Sequence, residues 1–145
     1  MLEKRYLRSI RLLSECMQLF EKLSSRRVRS LGFTESQFDI IATLGNTPGM
    51  TCKELGEKTL ITKGTLTGVL DRLEAKGLIQ RERGDDRRQL FIKLTAEGEA
   101  QFASSFPEVV KEGRENFREY QTEDFEALEA QLTKLKTSLS RQLPD

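Results

Sequence analysis

The chain has 145 residues, 37% hydrophobic and 32% charged, enough for one domain with its own core and ordinary for a helix-rich soluble protein. Histidine is absent and only two cysteines occur, which removes Ser-His-Asp and Cys-His catalysis, His-containing zinc sites and a disulfide framework. The formal charge of +1 conceals +5 over residues 1–33, −2 over 34–50, +3 over 51–94 and −5 over 95–145, so local placement of Arg and Lys, not the bulk charge, bears on nucleic-acid binding.

The N-terminal stretch interleaves Arg with apolar residues and has neither an uninterrupted apolar region nor a small-residue cleavage site. It is not read as a signal peptide, no apolar run approaches about 18 residues, and the expected compartment is the cytoplasm, away from any membrane. From Leu2 to Ser30, apolar residues at Leu7, Ile10, Leu13, Met17, Phe20 and Leu23 recur in steps of three and four, predicting a long amphipathic helix. After Gly32, Thr34-Glu35-Ser36-Gln37 has the form of a capping box and opens a second helix with Phe38, Ile40, Ile41 and Leu44 inward. Thr51-Cys52-Lys53-Glu54 is another capping box, starting a short helix to about Lys58. Thr62 is the expected N-cap of a further helix that ends before Gly77.

From Leu78 to Leu94 the period changes to two on both sides of a Gly-Asp-Asp-Arg-Arg tip, a β-hairpin signature. Thr95 caps the next helix, which is expected to reach about Glu119 with a bend at Pro107. The last helix starts near Thr122 and carries Phe125, Leu128, Leu132, Leu135 and Leu139 on one stripe. The predicted class is mainly α with a small β wing. A winged helix-turn-helix occupies residues 34–94, flanked by helical regions 1–33 and 95–145 whose stripes are expected to be buried in a dimerisation bundle.

The helix from Thr62 to Lys76 carries the functional signal. Leu66, Val69, Leu70 and Leu73 fall on one face, and the opposite face holds Gly64, Thr67, Gly68, Asp71 and Ala75, flanked by Thr65 and Arg72. Glycine costs roughly 1 kcal/mol per position in a helix, so two on one exposed face call for a reason. One reason is close approach of the backbone to a DNA groove, with Thr62, Lys63, Thr65 and Thr67 reaching phosphates and base edges. The other is simple tolerance on a surface helix. Arg87 and Arg88 at the hairpin tip are placed to enter a minor groove, with Asp86 near enough in sequence to orient Arg88. A surface ion pair worth about 0–1 kcal/mol is the alternative.

The helix T-K-G-T-L-T-G-V-L-D-R-L-E, the A-K-G-L-I step into the wing, the tip Asp86-Arg87-Arg88, and Leu94-Thr95 with Gly98 stand in that order along the chain. Together, Thr51 to Gly98 resembles the winged-helix core of the MarR family of bacterial transcription regulators. The resemblance implies a triangular homodimer whose terminal helices interlock and whose two winged domains read successive major grooves of double-stranded DNA. By position it implies recognition-helix contacts at Thr62, Lys63, Thr65, Thr67 and Arg72, close approach at Gly64 and Gly68, a minor-groove arginine at Arg88 positioned by Asp86, and a phosphate contact at Arg87. Many members of the family carry Arg where this chain has Gly68, so readout here leans on Thr67, Lys63 and DNA shape.

The expected function is therefore sequence-specific repression at a pseudo-palindromic operator, relieved by a small aromatic or anionic effector. No cofactor, metal or catalytic motif is expected, and the effector site is not legible. Leu13, Met17, Phe38 and Phe102 are either pocket lining or plain core. One alternative is a redox-sensing regulator of the same fold, through Cys16 in the first helix or Cys52 at the start of the third. The resemblance implies activating tyrosines for a sensing cysteine, and none is evident near Cys16. The other alternative is a winged-helix protein-interaction module that does not bind DNA, with the acidic C-terminal region as its docking surface.

Overall fold

The computed structural model describes residues 2–85 and 89–145. The chain divides into two compact units, Met1–Val110 and Lys111–Asp145.

In the first unit a 3-10 turn at Leu2–Lys4 leads into α1 (Arg5–Ser30). The expected apolar period is present, yet Val28 alone among the α1 residues is buried, and Leu7, Ile10, Met17, Phe20 and Leu23 are between 38% and 54% exposed. Length is the reason. A 26-residue helix extends about 39 Å, and only its C-terminal end has α2 to pack against.

Helix α2 (Glu35–Leu44) begins with the predicted capping box. Thr34 Oγ1 accepts from the Gln37 N–H at 3.2 Å, and Gln37 Oε1 accepts from the Thr34 N–H at 3.1 Å. Its inward residues Ile40, Ile41 and Leu44 are almost fully buried. Asp39 on the same helix is half-buried, and that desolvation pushes its carboxyl above the ordinary value. Strand β1 (Met50–Thr51) precedes α3 (Cys52–Thr59). Here the second capping box forms only in part. Thr51 Oγ1 accepts from the Glu54 N–H at 3.1 Å, but the Glu54 carboxylate accepts from the Thr51 hydroxyl at 3.2 Å rather than from its N–H.

After the turn comes α4 (Lys63–Ala75), then β2 (Ile79–Arg83) and β3 (Leu90–Leu94). Helix α4 ends in a Schellman motif: Gly77, at φ +75°, donates to Glu74 O at 2.9 Å and Leu78 donates to Leu73 O at 3.0 Å. The hairpin pairs Ile79 with Leu94 and Arg83 with Leu90. Strand β1 adds to the other edge of β3 through Met50–Ile92 and Thr51–Phe91, giving an antiparallel sheet of order β1-β3-β2. Periodicity does not announce this third strand, because two residues are too few to show a period.

Helix α5 (Ala96–Glu115) starts where Thr95 Oγ1 donates to Gly77 O at 2.6 Å and accepts from the Gly98 N–H at 3.0 Å. A Cβ at Gly98 would overlap the Leu78 carbonyl, so glycine is what allows the helix to begin against the root of β2. Pro107 lies inside α5, and the helix ends four residues earlier than expected, at Glu115, with the following residues in turns. The core gathers Ile40, Ile41, Leu44, Leu55, Leu70, Leu73, Ile79 and Ile92, from α2, α3, α4 and the sheet. No helix among the described residues is long and apolar enough to cross a membrane.

In the second unit, Phe117, Tyr120 and Phe125 pack with ring centroids 5.0–5.9 Å apart at the entry to α6 (Thr122–Ser140). The Asp124 carboxylate accepts from the Gln121 N–H at 2.7 Å and fixes the first turn. Leu128, Leu132 and Leu139 on α6 are exposed.

Candidate nucleic-acid interface

Helix α4 is anchored by one face. Leu66, Val69, Leu70 and Leu73 are all buried, whereas Thr62, Lys63, Gly64, Thr65, Thr67, Gly68, Asp71 and Arg72 are all exposed. The structure thus brings the recognition-helix candidates onto one continuous solvent-facing surface. At Gly64 and Gly68 an added Cβ would meet nothing within 4 Å. Nothing among the described residues therefore requires glycine at either position.

Thr62 stands at the N-cap with extended backbone (φ −65°, ψ 149°), but its side chain does not cap. Its hydroxyl donates instead to Thr65 Oγ1 at 3.1 Å. The first turn also contains no acidic residue. The N-terminal N–H groups of α4 and the positive end of its dipole consequently lack an anion from their own turn, which suits a phosphate.

The other end of α4 is held by charge. Arg81 on β2 donates to Asp71 Oδ1 at 2.7 Å through Nη2 and to Glu74 Oε2 at 2.9 Å through Nε. The hydrogen bond to Glu74, then that to Asp71, raises the Arg81 pKa still further, and the same bond holds the Glu74 carboxyl below its ordinary value. The guanidinium fork fixes the angle between helix and wing, since one planar group meets two carboxylates one turn apart. Just beyond the helix, Lys76 Nζ donates to Gly32 O at 3.2 Å and Gln37 Oε1 at 3.3 Å, and lies 5.3 Å from the Phe33 ring centroid. Helix α4 is thereby tied to the α1–α2 junction as well as to the wing.

Residues 33–90 match the MarR family model. Transcriptional regulator HosA of Escherichia coli is 36% identical over 92 residues, which cover 62% of this chain and 68% of that protein. The chain belongs to the MarR family. Among solved structures, a mutant of MarR from E. coli complexed with operator DNA has a TM-score of 0.80 at 25% identity, over 93% of this chain and 98% of that one. NadR in complex with 4-hydroxyphenylacetate has a TM-score of 0.71 at 27% identity, over 85% and 88% of the two chains. Membership makes this protein a transcription regulator with the winged helix-turn-helix fold.

In this MarR-family chain the wing runs out along β2 and β3, closed by Gly84 N–H donating to Gln89 O at 3.1 Å. Lys93 and Glu82 pair across it at 2.9 Å. The tip residues Asp86, Arg87 and Arg88 lie outside the described residues. Of the pocket candidates, Phe38 and Phe102 are core, Leu13 is half-buried and Met17 exposed. Cys16 is exposed and Cys52 half-buried.

Sequence reading misses Arg81 and Lys76. For Arg81 a signal exists: in β2 it shares the inward phase of Ile79, and an inward arginine needs carboxylates, which Asp71 and Glu74 supply at a spacing of three. For Lys76 there is none, because its partners lie about forty residues away in sequence.

Proposed function

We propose that this MarR-family regulator is a homodimer that reads a pseudo-palindromic operator and represses transcription until a small aromatic or anionic effector binds. Residues 34–94 bind DNA, and the helical regions 1–33 and 95–145 dimerise. The observation that carries the reading is the bare face of α4: glycines open to solvent at 64 and 68, exposed Thr62, Lys63, Thr65, Thr67 and Arg72, and a first turn without an anion. Thr67 and Lys63 read base edges, Thr62 and Thr65 meet phosphates, and the open glycines let the backbone close on the groove wall. Arg88, oriented by Asp86, enters the minor groove, and Arg87 meets a phosphate. The exposed apolar stripe of α1 supports dimerisation, since a contiguous apolar face of that length is rarely left to water. The similarity to a protein that binds 4-hydroxyphenylacetate supports an aromatic carboxylate as the class of effector. A chromosomal reader of this kind acts in the cytoplasm.

The test is a titration against DNA selected from a random pool, followed by the DNA upstream of the protein's own gene. Binding is expected to be dimeric and to weaken steeply with salt as phosphate contacts release counterions. Arg88→Ala lowers affinity, while Thr67→Ala changes sequence preference at the contacted base. Wild-type behaviour of both variants would overturn the contact assignment, and salt-insensitive, negligible binding to every DNA would overturn the function.

A further inference from the structure

Between the end of α3 and the start of α4 stand only Leu60, Ile61 and Thr62. This turn is tightly held. Thr59, itself buried, donates from its hydroxyl to Leu55 O at 2.7 Å, and the same oxygen accepts from the Ile61 N–H at 3.4 Å. The Leu60 N–H donates to Gly56 O at 3.0 Å, and Ile61 packs against the core. These bonds hold Leu60 at φ +60° and ψ 13°, left-handed backbone that suits Gly or Asn and disfavours a leucine. An apolar residue that ends a helix in this way ordinarily packs back on the last turn. Leu60 does not: it is 86% exposed, more than any other large apolar side chain among the described residues except Leu2. An exposed leucine alone is ordinary, and so is a left-handed residue in a turn. Both at one residue are unfavourable twice over, with no gain inside the protein to offset them.

We propose that Leu60 is a specificity-determining residue whose isobutyl group meets the C5-methyl of a thymine at the edge of each operator half-site. The inference rests on the proposed function, in which the N-terminal end of α4 enters the major groove. Leu60 stands two residues before Thr62, and Thr62, Lys63, Gly64 and Thr65 are all exposed as it is. Leucine has neither donor nor acceptor, so it cannot serve a phosphate or a polar base edge. The apolar group that base edges present in the major groove is the thymine methyl. Contact between the two removes apolar surface from water on both partners. Because the turn is already fixed by Thr59, Gly56 and Ile61, little backbone freedom is lost when the side chain seats. The strained backbone thus holds an apolar probe outside the protein, ahead of the polar residues of the first turn.

The test uses the full chain and the duplex that the wild-type protein selects from a random pool. Each thymine of a half-site is replaced in turn by deoxyuridine, which lacks only the C5-methyl. At one thymine per half-site the replacement is expected to lower wild-type affinity about fourfold, the worth of one buried methyl. Leu60→Asn and Leu60→Gly remove the apolar group while suiting left-handed backbone, so both proteins should unfold at the wild-type temperature or above it. Both are expected to bind the unmodified duplex more weakly than wild type and to be indifferent to that same replacement. Wild-type indifference to every replacement would overturn the contact. So would a deoxyuridine loss that persists in both variants, even if they bind more weakly, since Leu60 would then touch deoxyribose rather than the base. These outcomes leave wild-type binding of the unmodified duplex intact, and so differ from failure of the operator-binding reading, in which the wild-type protein selects no duplex and both inferences fall.

Discussion

The two ends of α4 are built on opposite principles. The C-terminal half is committed to its own protein: Leu70 and Leu73 are buried, Asp71 and Glu74 are gripped by Arg81, the end is closed at Gly77, and Lys76 ties it to the α1–α2 junction. The first turn and a half keeps Leu66 inside, with Val69 buried at the midpoint, and leaves its cap unmade, its first turn without an anion and its glycines open. In the proposed function, one end is fixed so that the other would arrive at a groove already oriented, lowering the entropy lost on binding. Unsatisfied groups at the reading end are then an asset rather than a defect.

The largest test of the contrast is Leu73→Ala. Leu73 is fully buried in the shared core, and truncation is expected to cost about 2–5 kcal/mol in urea unfolding. A loss well below that range would mean that the anchored end is not what holds the helix. Next come the two threonine caps. Thr34 makes its capping bond and Thr62 does not. Thr34→Ala should therefore cost about 1 kcal/mol and Thr62→Ala only a few tenths, although Thr62→Ala should still weaken operator binding. Equal stability losses would show that Thr62 caps in solution.

Gly68→Ala reverses the sign. It adds helix propensity in open space, so the free protein should gain about 0.5–1 kcal/mol while operator affinity falls. Gains in both, read by thermal unfolding and by DNA titration, would mean that the glycine face never meets a groove.

The same contrast marks what is legible in the sequence. Periodicity locates α1, α2, α6, the hairpin and the buried face of α4, and capping residues mark the starts of α3 and α5, because apolar spacing and caps are local signals that the core then enforces. The Thr34 box is legible for the same reason, as all its partners lie within three residues. Three things are not. β1 is too short to show a period. The turn into α4 places Leu60 at φ +60°, a conformation normally announced by Gly or Asn. The anchoring of α4 by Arg81 and Lys76 depends on how distant segments meet, which local spacing does not encode. At Thr62 the residue type predicts a cap correctly in position but not in bonding, because its hydroxyl donates to Thr65 Oγ1 and no backbone N–H reaches it. The exposed face of α4 is readable as a candidate surface, yet why it is rigid is not.

The smallest expected effect tests that rigidity directly. Arg81 holds Glu74 in its charged form, so the Glu74 carboxyl titrates below its ordinary value in the folded protein. A depressed carboxylate contributes stability that is present above its unfolded pKa and lost as pH falls through the folded one. The window therefore lies below the usual carboxylate range, and neutral-pH stability should be flat with respect to this group. Carboxyl-resolved NMR titration should show Glu74 moving up in an Arg81→Ala protein. Arg81→Lys should restore it only partly, because a single ammonium cannot fork to Asp71 and Glu74 together. The change in folding stability should be small, since Glu74 is exposed and Arg81 only partly buried. Operator affinity should nevertheless fall, because what is lost is the angle between α4 and the wing rather than the energy of an ion pair. If Glu74 titrates identically with and without Arg81, the anchored end is held by its apolar face alone.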